Sequence, residues 1–375
     1  MLAALRERAL AWRERLVADA RFRRWAERFP FTRPVARRRA RELFDLCAGF
    51  VYSQVLYACV RVGLFEALRP GARSLEELSQ ELSLPLPAAR RLLEAAAALR
   101  LARRVQDGRY ALGTIGAAMA GNRAVAAMVE HHRLLYGDLA DPVALLRGEH
   151  PTALSSYWTY AGGRHVDGLR PSDVAPYTEL MSASLPLVAD EVLDAFPLGD
   201  RRRLLDVGGG EGGFLATAAK RYPRLELVLF DAPAVVARAQ AHFEGLGLAS
   251  RATIVGGDFL RDPLPAGADA ATLIRILHDH EDRAALVLLR AVRRALAPGG
   301  VIVVAEPMAG AAGAEPVGAA YFSFYLLAMG QGRSRTPAEI AALLSQAGFV
   351  KPRERSTRMP LQSGIVVAEK DVNLT

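Results

Sequence analysis

The sequence predicts an α/β protein in which a doubly wound parallel sheet follows a helical domain of winged-helix type. Three observations carry this. From residue 200 onward RRRLLDVG, LELVLFD, ATIVGGD, AATLIRILH and GVIVVAE are β-rich runs separated by helical stretches, which implies parallel pairing with helices on both faces. The first run ends in LLDVGGGEGGF, a glycine-rich turn that leads into a helix. Upstream, residues 43–120 read as helices followed by a short hairpin turning at Asp107-Gly108.

The elements follow in order. Leu2, Leu5, Ala9, Trp12 and Leu16 recur at helical spacing and predict an amphipathic first helix. FRRWAERFPFTRPVARRRARELF then interleaves Trp25, Phe29 and Phe31 with arginines. The whole chain carries +8, and residues 1–42 alone hold thirteen Arg against five acidic residues, so the basicity belongs to this arm. It reads either as a surface for anionic membrane or as a helix packed on its own protein with a solvated basic face. The longest uncharged runs, 46–60 and 316–332, are shorter than the 18 or more apolar residues of a membrane span, so no helix is expected to cross a bilayer. Cys47 and Cys59, twelve residues apart on one helical stretch, lie roughly 18 Å apart and are expected to be reduced core residues. With no secretion signal at the start, a cytoplasmic location is expected, with the arm on the cytoplasmic face of the inner membrane under the membrane reading.

Ser74 with Glu77 three residues later is a capping box opening the winged-helix-like segment. Its second helix is too apolar to read base edges, so dimerisation or scaffolding, without nucleic acid, is the expected role. Every strand in the second half ends in a polar residue: Asp206, Asp231, Asp258, His278 or Glu306. In open parallel sheets ligands bind beyond those carboxyl ends. The glycines satisfy both the dinucleotide spacing (Gly208, Gly210, Gly213) and the GxGxG spacing of S-adenosylmethionine enzymes (Gly208, Gly210, Gly212). Asp231 at the end of the second strand suits the two ribose hydroxyls of either cofactor.

Two later stretches decide between them. GGDF presents Gly257, Asp258 and Phe259 to an adenine, and APGGVIVVAE is a turn and strand ending in Glu306. With FDAP at 230–233 and ILHDH at 276–280, the region resembles the class I S-adenosylmethionine-dependent O-methyltransferases of the caffeate and acetylserotonin type. VGLFEAL and GRYALGTIG extend the resemblance to their dimerisation domain. The arm and RELFDLCAGFVYSQVLYACVRVGLF are similar to bacterial carotenoid O-methyltransferases acting on demethylspheroidene and hydroxyneurosporene.

The resemblance implies a Rossmann-like methyltransferase sheet and a homodimer, divided into an arm (1–42), a dimerisation domain (43–190) and a catalytic domain (191–375). It implies S-adenosylmethionine held by Asp206, Gly208, Gly210, Asp231, Gly257, Asp258, Phe259 and Arg275. His278 becomes the general base with Glu306 holding its imidazole, and Tyr177 and Met181 line the acceptor site. Tyr321, Phe322, Phe324 and Tyr325, in AAYFSFYLLAMG, suit a long polyene. The expected reaction is methylation of the tertiary hydroxyl of an acyclic 1-hydroxycarotenoid. Methylation of a phenolic or quinone-like metabolite is the alternative, and a non-catalytic ligand-sensing regulator the alternative from another class. The chain departs from the family pattern at Ile274, at His280 and at Ser334, which stands where a second carboxylate is usual. His278 and His280 have the alternate spacing of metal ligands on a strand, but no third ligand has suitable spacing and no metal is expected.

Overall fold

The structure is a computed structural model that describes residues 2–158, 170–311, 313–361 and 363–372. The chain divides into two compact units, residues 1–122 and 123–375.

In the first unit α1 (Leu2–Ala18), α2 (Ala20–Arg28) and α3 (Arg33–Arg61) precede α4 (Leu64–Leu68), α5 (Leu75–Glu81) and α6 (Leu86–Ala98). A hairpin of β1 (Ala102–Arg104) and β2 (Tyr110–Leu112) and the helix α7 (Thr114–Met119) follow. The capping box forms in both halves: Ser74 Oγ accepts from the Glu77 amide and Glu77 from the Ser74 amide. Leu78, Ala89 and Leu93 are fully buried where α5 and α6 pack.

One expectation for this unit is corrected, that both cysteines are core residues. The stripe on α1 forms on a helix, with Leu2, Leu5 and Trp12 all exposed. Cys59 is a core residue whose thiol burial pushes up to about 12, whereas Cys47 is exposed. The helix α3, at 29 residues, is long and apolar enough to cross a membrane by length and composition alone.

The second unit opens with α8 (Arg123–Asp138), α9 (Pro142–Arg147), α10 (Ala153–Tyr157) and α11 (Pro171–Ala195). The sheet then takes the order β5-β4-β3-β6-β7-β9-β8. The five expected strands are β3 (Arg203–Val207), β4 (Glu226–Asp231), β5 (Ala252–Gly256), β6 (Ala268–Ile274) and β7 (Leu296–Glu306), all mutually parallel where they pair. Two further strands, β8 (Val350–Arg355) and β9 (Gly364–Glu369), add antiparallel pairs beyond β7. The helices α12 (Gly213–Arg221), α13 (Pro233–Gly245), α14 (Asp282–Ala295), α15 (Ser323–Met329) and α16 (Pro337–Gln346) complete the unit.

Two cores sandwich the sheet. One face packs Leu205, Val228 and Ile302 against Leu288 and Val292 of α14 and Leu344 of α16. The other packs Leu204, Leu227 and Val303 against Val192 and Leu193 of α11 and Phe214 of α12. Burial on both sides explains why the strands read as continuous apolar runs. It also leaves the carboxyl ends of β3 to β7 as the place where polar groups gather.

Candidate active site

Those ends line a cavity. Its walls include Asp206, Gly208 and Gly210 after β3, Asp231 after β4, and Gly257, Asp258 and Phe259 after β5. Arg275 after β6, with Tyr177 and Met181 of α11, closes it. Ten residues read from the sequence as cofactor or acceptor contacts are thus brought together.

The glycine loop has the backbone its composition requires. Gly208 adopts a φ of 72°, and a Cβ there would lie 2.4 Å from Ile276 Cδ1. Asp231 holds the loop by accepting from the Gly210 amide at 2.7 Å. Its other oxygen accepts from the Ala232 amide. Asp206 is buried, accepts from Thr272 Oγ1 at 2.6 Å, and has an Oδ2 with no partner among the described residues. Burial pushes the carboxyl of Asp206 up to about 7 and that of Asp231 up to about 6. A buried carboxylate with a free oxygen, Asp206, and a second, Asp231, at the cavity wall beside a glycine loop fit the amine and ribose hydroxyls of a nucleoside cofactor.

Arg275 ends β6 in the left-handed region, at a φ of 58° that non-glycine residues rarely adopt. Its amide bonds Ala305 O, and its guanidinium donates to Ser184 Oγ at 2.7 Å and to Met181 O at 3.0 Å. Those bonds tie α11 to the sheet and turn the chain into the short 3₁₀ helix Leu277–Asp279.

His278 sits in that turn, buried. Glu306, fully buried at the end of β7, accepts from the backbone amide of His278 at 3.0 Å. The expectation that Glu306 holds the imidazole is thereby corrected: it holds the main chain. The imidazole Nε2 instead lies 3.1 Å from Asp279 Oδ1. Asp279 lines the cavity whereas His278 and Glu306 do not, so the dyad meets it through the carboxylate. Burial disfavours the imidazolium, but Asp279 and then Glu306 outweigh it, and the net direction of the His278 pKa is upward.

Arg335, fully buried, fixes the same turn. It donates to Leu277 O at 2.7 Å, to His280 O at 2.6 Å and to Asp282. Gly332 presses on it from the other side: a Cβ there would lie 2.2 Å from His278 O. Ser334, between these residues in sequence, is half-buried, and its buried hydroxyl oxygen has no partner among the described residues. His280 is no surface residue; it lines the cavity with its ring edge-on to Phe259 at 5.4 Å.

The aromatic segment reaches the base through one of its four aromatics, Phe322. Phe322 stacks on His278 at 5.8 Å, whereas Phe324 packs in the neighbouring cluster and Tyr325 is buried there. Asp279 and Arg335 were not singled out by motif, although HD in ILHDH marks the first. Among the described residues no group of three or more His, Cys, Asp or Glu is placed to hold a metal ion.

Residues 136–350 match the profile of the O-methyltransferase domain, and residues 44–122 that of the O-methyltransferase dimerisation domain. The chain belongs to the O-methyltransferase family.

This O-methyltransferase is 45% identical over 338 residues to the demethylspheroidene O-methyltransferase of Cereibacter sphaeroides, covering 89% of this chain and 88% of that one. It is 39% identical to the enzyme of the same name from Rhodobacter capsulatus, over 95% of this chain and 88% of the relative. Among solved structures it is similar to human N-acetylserotonin methyltransferase in complex with SAM, at a TM-score of 0.72 and 25% identity, covering 88% of this chain and 97% of that one. The O-methyltransferase uses S-adenosylmethionine and carries the family's dimerisation domain.

Proposed function

We propose that this enzyme methylates the tertiary hydroxyl of an acyclic 1-hydroxycarotenoid, as one half of a homodimer. The observation that carries the reading is the identity to demethylspheroidene O-methyltransferases along most of both chains. The aromatic cluster against His278 supports it, because a polyene gains contact from ring faces.

Asp206, Gly208, Gly210, Asp231, Gly257, Asp258, Phe259 and Arg275 hold the cofactor. S-adenosylmethionine supplies an activated methyl group when bound. Tyr177 and Met181 border the acceptor, with Phe324 and Tyr325 behind them. His278 is the base, Glu306 and Arg335 fix its backbone, and Asp279 orients the imidazole and stabilises the charge it acquires.

A tertiary alcohol ionises near the value of bulk water, about 15.7, against roughly 6.5 for imidazole. Making free alkoxide first would therefore cost roughly 12 kcal/mol. The proton instead passes to His278 while the oxygen is forming its bond to carbon, and catalysis rests on position and exclusion of water.

Residues 1–42 dock the enzyme on an anionic bilayer, where such an acceptor is dissolved. Supporting this, Phe22, Trp25, Phe29 and Phe31 form a ladder of rings spaced 5.0–5.6 Å, with Phe31 85% exposed, in a segment of charge +8. Burial of Ala89, Leu93 and Ala96 supports a scaffolding role for α6 over one in reading base edges.

Methyl transfer from labelled S-adenosylmethionine to a 1-hydroxy acyclic carotenoid and to a simple catechol tests the reading. Label in the carotenoid is expected; label in the catechol alone replaces the acceptor with a phenol.

A further inference from the structure

Two adjacent histidines have no part in the reaction as described. His131 and His132 lie in the middle of α8, and each meets a tyrosine. His131 Nε2 is 2.9 Å from Tyr325 Oη, and His132 Nε2 is 2.6 Å from Tyr321 Oη. The two tyrosine rings stack 5.8 Å apart where the π-helical turn Val317–Phe322 passes into α15. Phe322 lies edge-on to both and stacks on His278. A continuous run of rings therefore leads from the base to α8, and Tyr177, which lines the cavity, belongs to the same cluster.

The two pairs do not themselves line that cavity; they back Tyr177 and the ring of His278, and their polar tips are spent on one another. Burial lowers both imidazoles, His131 to about 4, and raises both phenols, so all four groups are neutral at any ordinary working pH. Each pair joins a donor to an acceptor, leaving ring faces toward a neighbour. A hydrocarbon loses nothing against such faces, whereas a polar acceptor gives up hydrogen bonds to water and finds no replacement.

Resting on the carotenoid reading above, we propose that the His131–Tyr325 and His132–Tyr321 pairs set acceptor specificity. By closing each other off, they admit a molecule whose single polar group near His278 is the hydroxyl to be methylated. They are specificity residues and do not touch the reacting atoms.

Removing one tyrosine hydroxyl leaves a buried imidazole nitrogen unpaired, at a cost of about 1–3 kcal/mol that a polar acceptor can relieve. Removing both partners in favour of apolar groups of similar shape closes the wall again. The test is kcat/KM for a detergent-solubilised 1-hydroxy acyclic carotenoid and for a catechol, in the wild type, Tyr321→Phe, Tyr325→Phe and the double variant Tyr321→Phe/His132→Leu. S-adenosylmethionine affinity of each protein reports whether the fold is intact.

The wild type should prefer the carotenoid. Each Tyr→Phe change should cut the carotenoid-to-catechol ratio roughly tenfold, and Tyr321→Phe/His132→Leu should restore it. A ratio unmoved in variants that bind S-adenosylmethionine normally overturns the proposal while leaving the carotenoid function standing. A wild type that prefers the catechol overturns both. If the more buried Tyr325→Phe fails to fold, Tyr321→Phe with its double variant decides the matter alone.

Discussion

His278 and Asp279, consecutive in the chain, are both buried, with the imidazole Nε2 3.1 Å from the carboxylate Oδ1. Consecutive side chains on a strand point to opposite faces, so this contact depends on the 3₁₀ turn that Arg275, Glu306 and Arg335 hold in place. The pair has a kinetic signature. Asp279 favours the imidazolium, so the base is neutral only above a pKa that lies higher than the ordinary 6.5. Replacing Asp279 by Asn removes the charge and leaves the burial, which lowers the His278 pKa. The rising limb of the pH–rate profile should then move to lower pH, with a plateau reduced about 10- to 1,000-fold because a weaker, unoriented base accepts the proton. A limb that stays in place would separate Asp279 from the base.

Cofactor affinity should depend on pH through Asp206 and Asp231. In the free enzyme burial raises their carboxyls to about 7 and about 6, so both hold protons as pH falls through that range. A ligand that donates hydrogen bonds to the ionised forms must first displace those protons. S-adenosylmethionine affinity, measured by calorimetry from pH 5 to 8, should weaken below about pH 7 by up to tenfold per unit for each proton displaced. For the free protein the sign is the reverse. A raised carboxylate contributes stability that is present below its unfolded pKa, near 3.8, and lost as pH rises through 7. The stabilisation conferred by the cofactor should therefore be largest at the alkaline end, and Asp206→Asn should flatten both trends.

Arg335 should be indispensable although it touches no reactant. It bridges two backbone carbonyls of the catalytic turn and Asp282 from a fully buried position. Arg335→Met should cost about 3–5 kcal/mol of stability and lower kcat well beyond what the loss of folded protein explains. Arg335→Lys should rescue little, because one ammonium cannot reproduce the planar fork. Thermal unfolding and kcat in the two variants check this together, and full activity in the lysine variant would remove the positioning role.

Deleting residues 1–30 should weaken binding to anionic vesicles and spare turnover on a detergent-solubilised acceptor. The same loss should follow from Trp25→Ala with Phe31→Ala, and binding should fall as salt rises. Vesicle flotation checks it; unchanged flotation would make the arm a structural element.

Much of this was legible in the sequence where local rules suffice. Five strands announced themselves by apolar runs, and the cofactor loop by glycines that no other residue can replace at its backbone angles. The capping box at Ser74 was visible because it is complete within four residues. What stayed hidden depends on distance in the chain. Arg335 acquires its meaning from carbonyls 55 and 58 residues away. His131 and Tyr325 are 194 residues apart, and neither pattern nor spacing signals the pair. The strand β9 enters antiparallel beside β7, outside the strand–helix alternation that reveals the others. Glu306 was found as a residue, but its bond to the main chain of His278, and not to the ring, is a matter of geometry alone.

His278 as the base is the centre of the mechanism. Single-turnover methyl transfer by the wild type and by His278→Ala, at saturating S-adenosylmethionine and across pH 5 to 9, tests this most directly. The predicted result is a wild-type rate that climbs with pH to a plateau, and a variant slower by about 10²- to 10⁴-fold that binds the cofactor with unchanged affinity and has lost that limb. A variant that turns over within a few-fold of the wild type, with the same pH dependence, would contradict it.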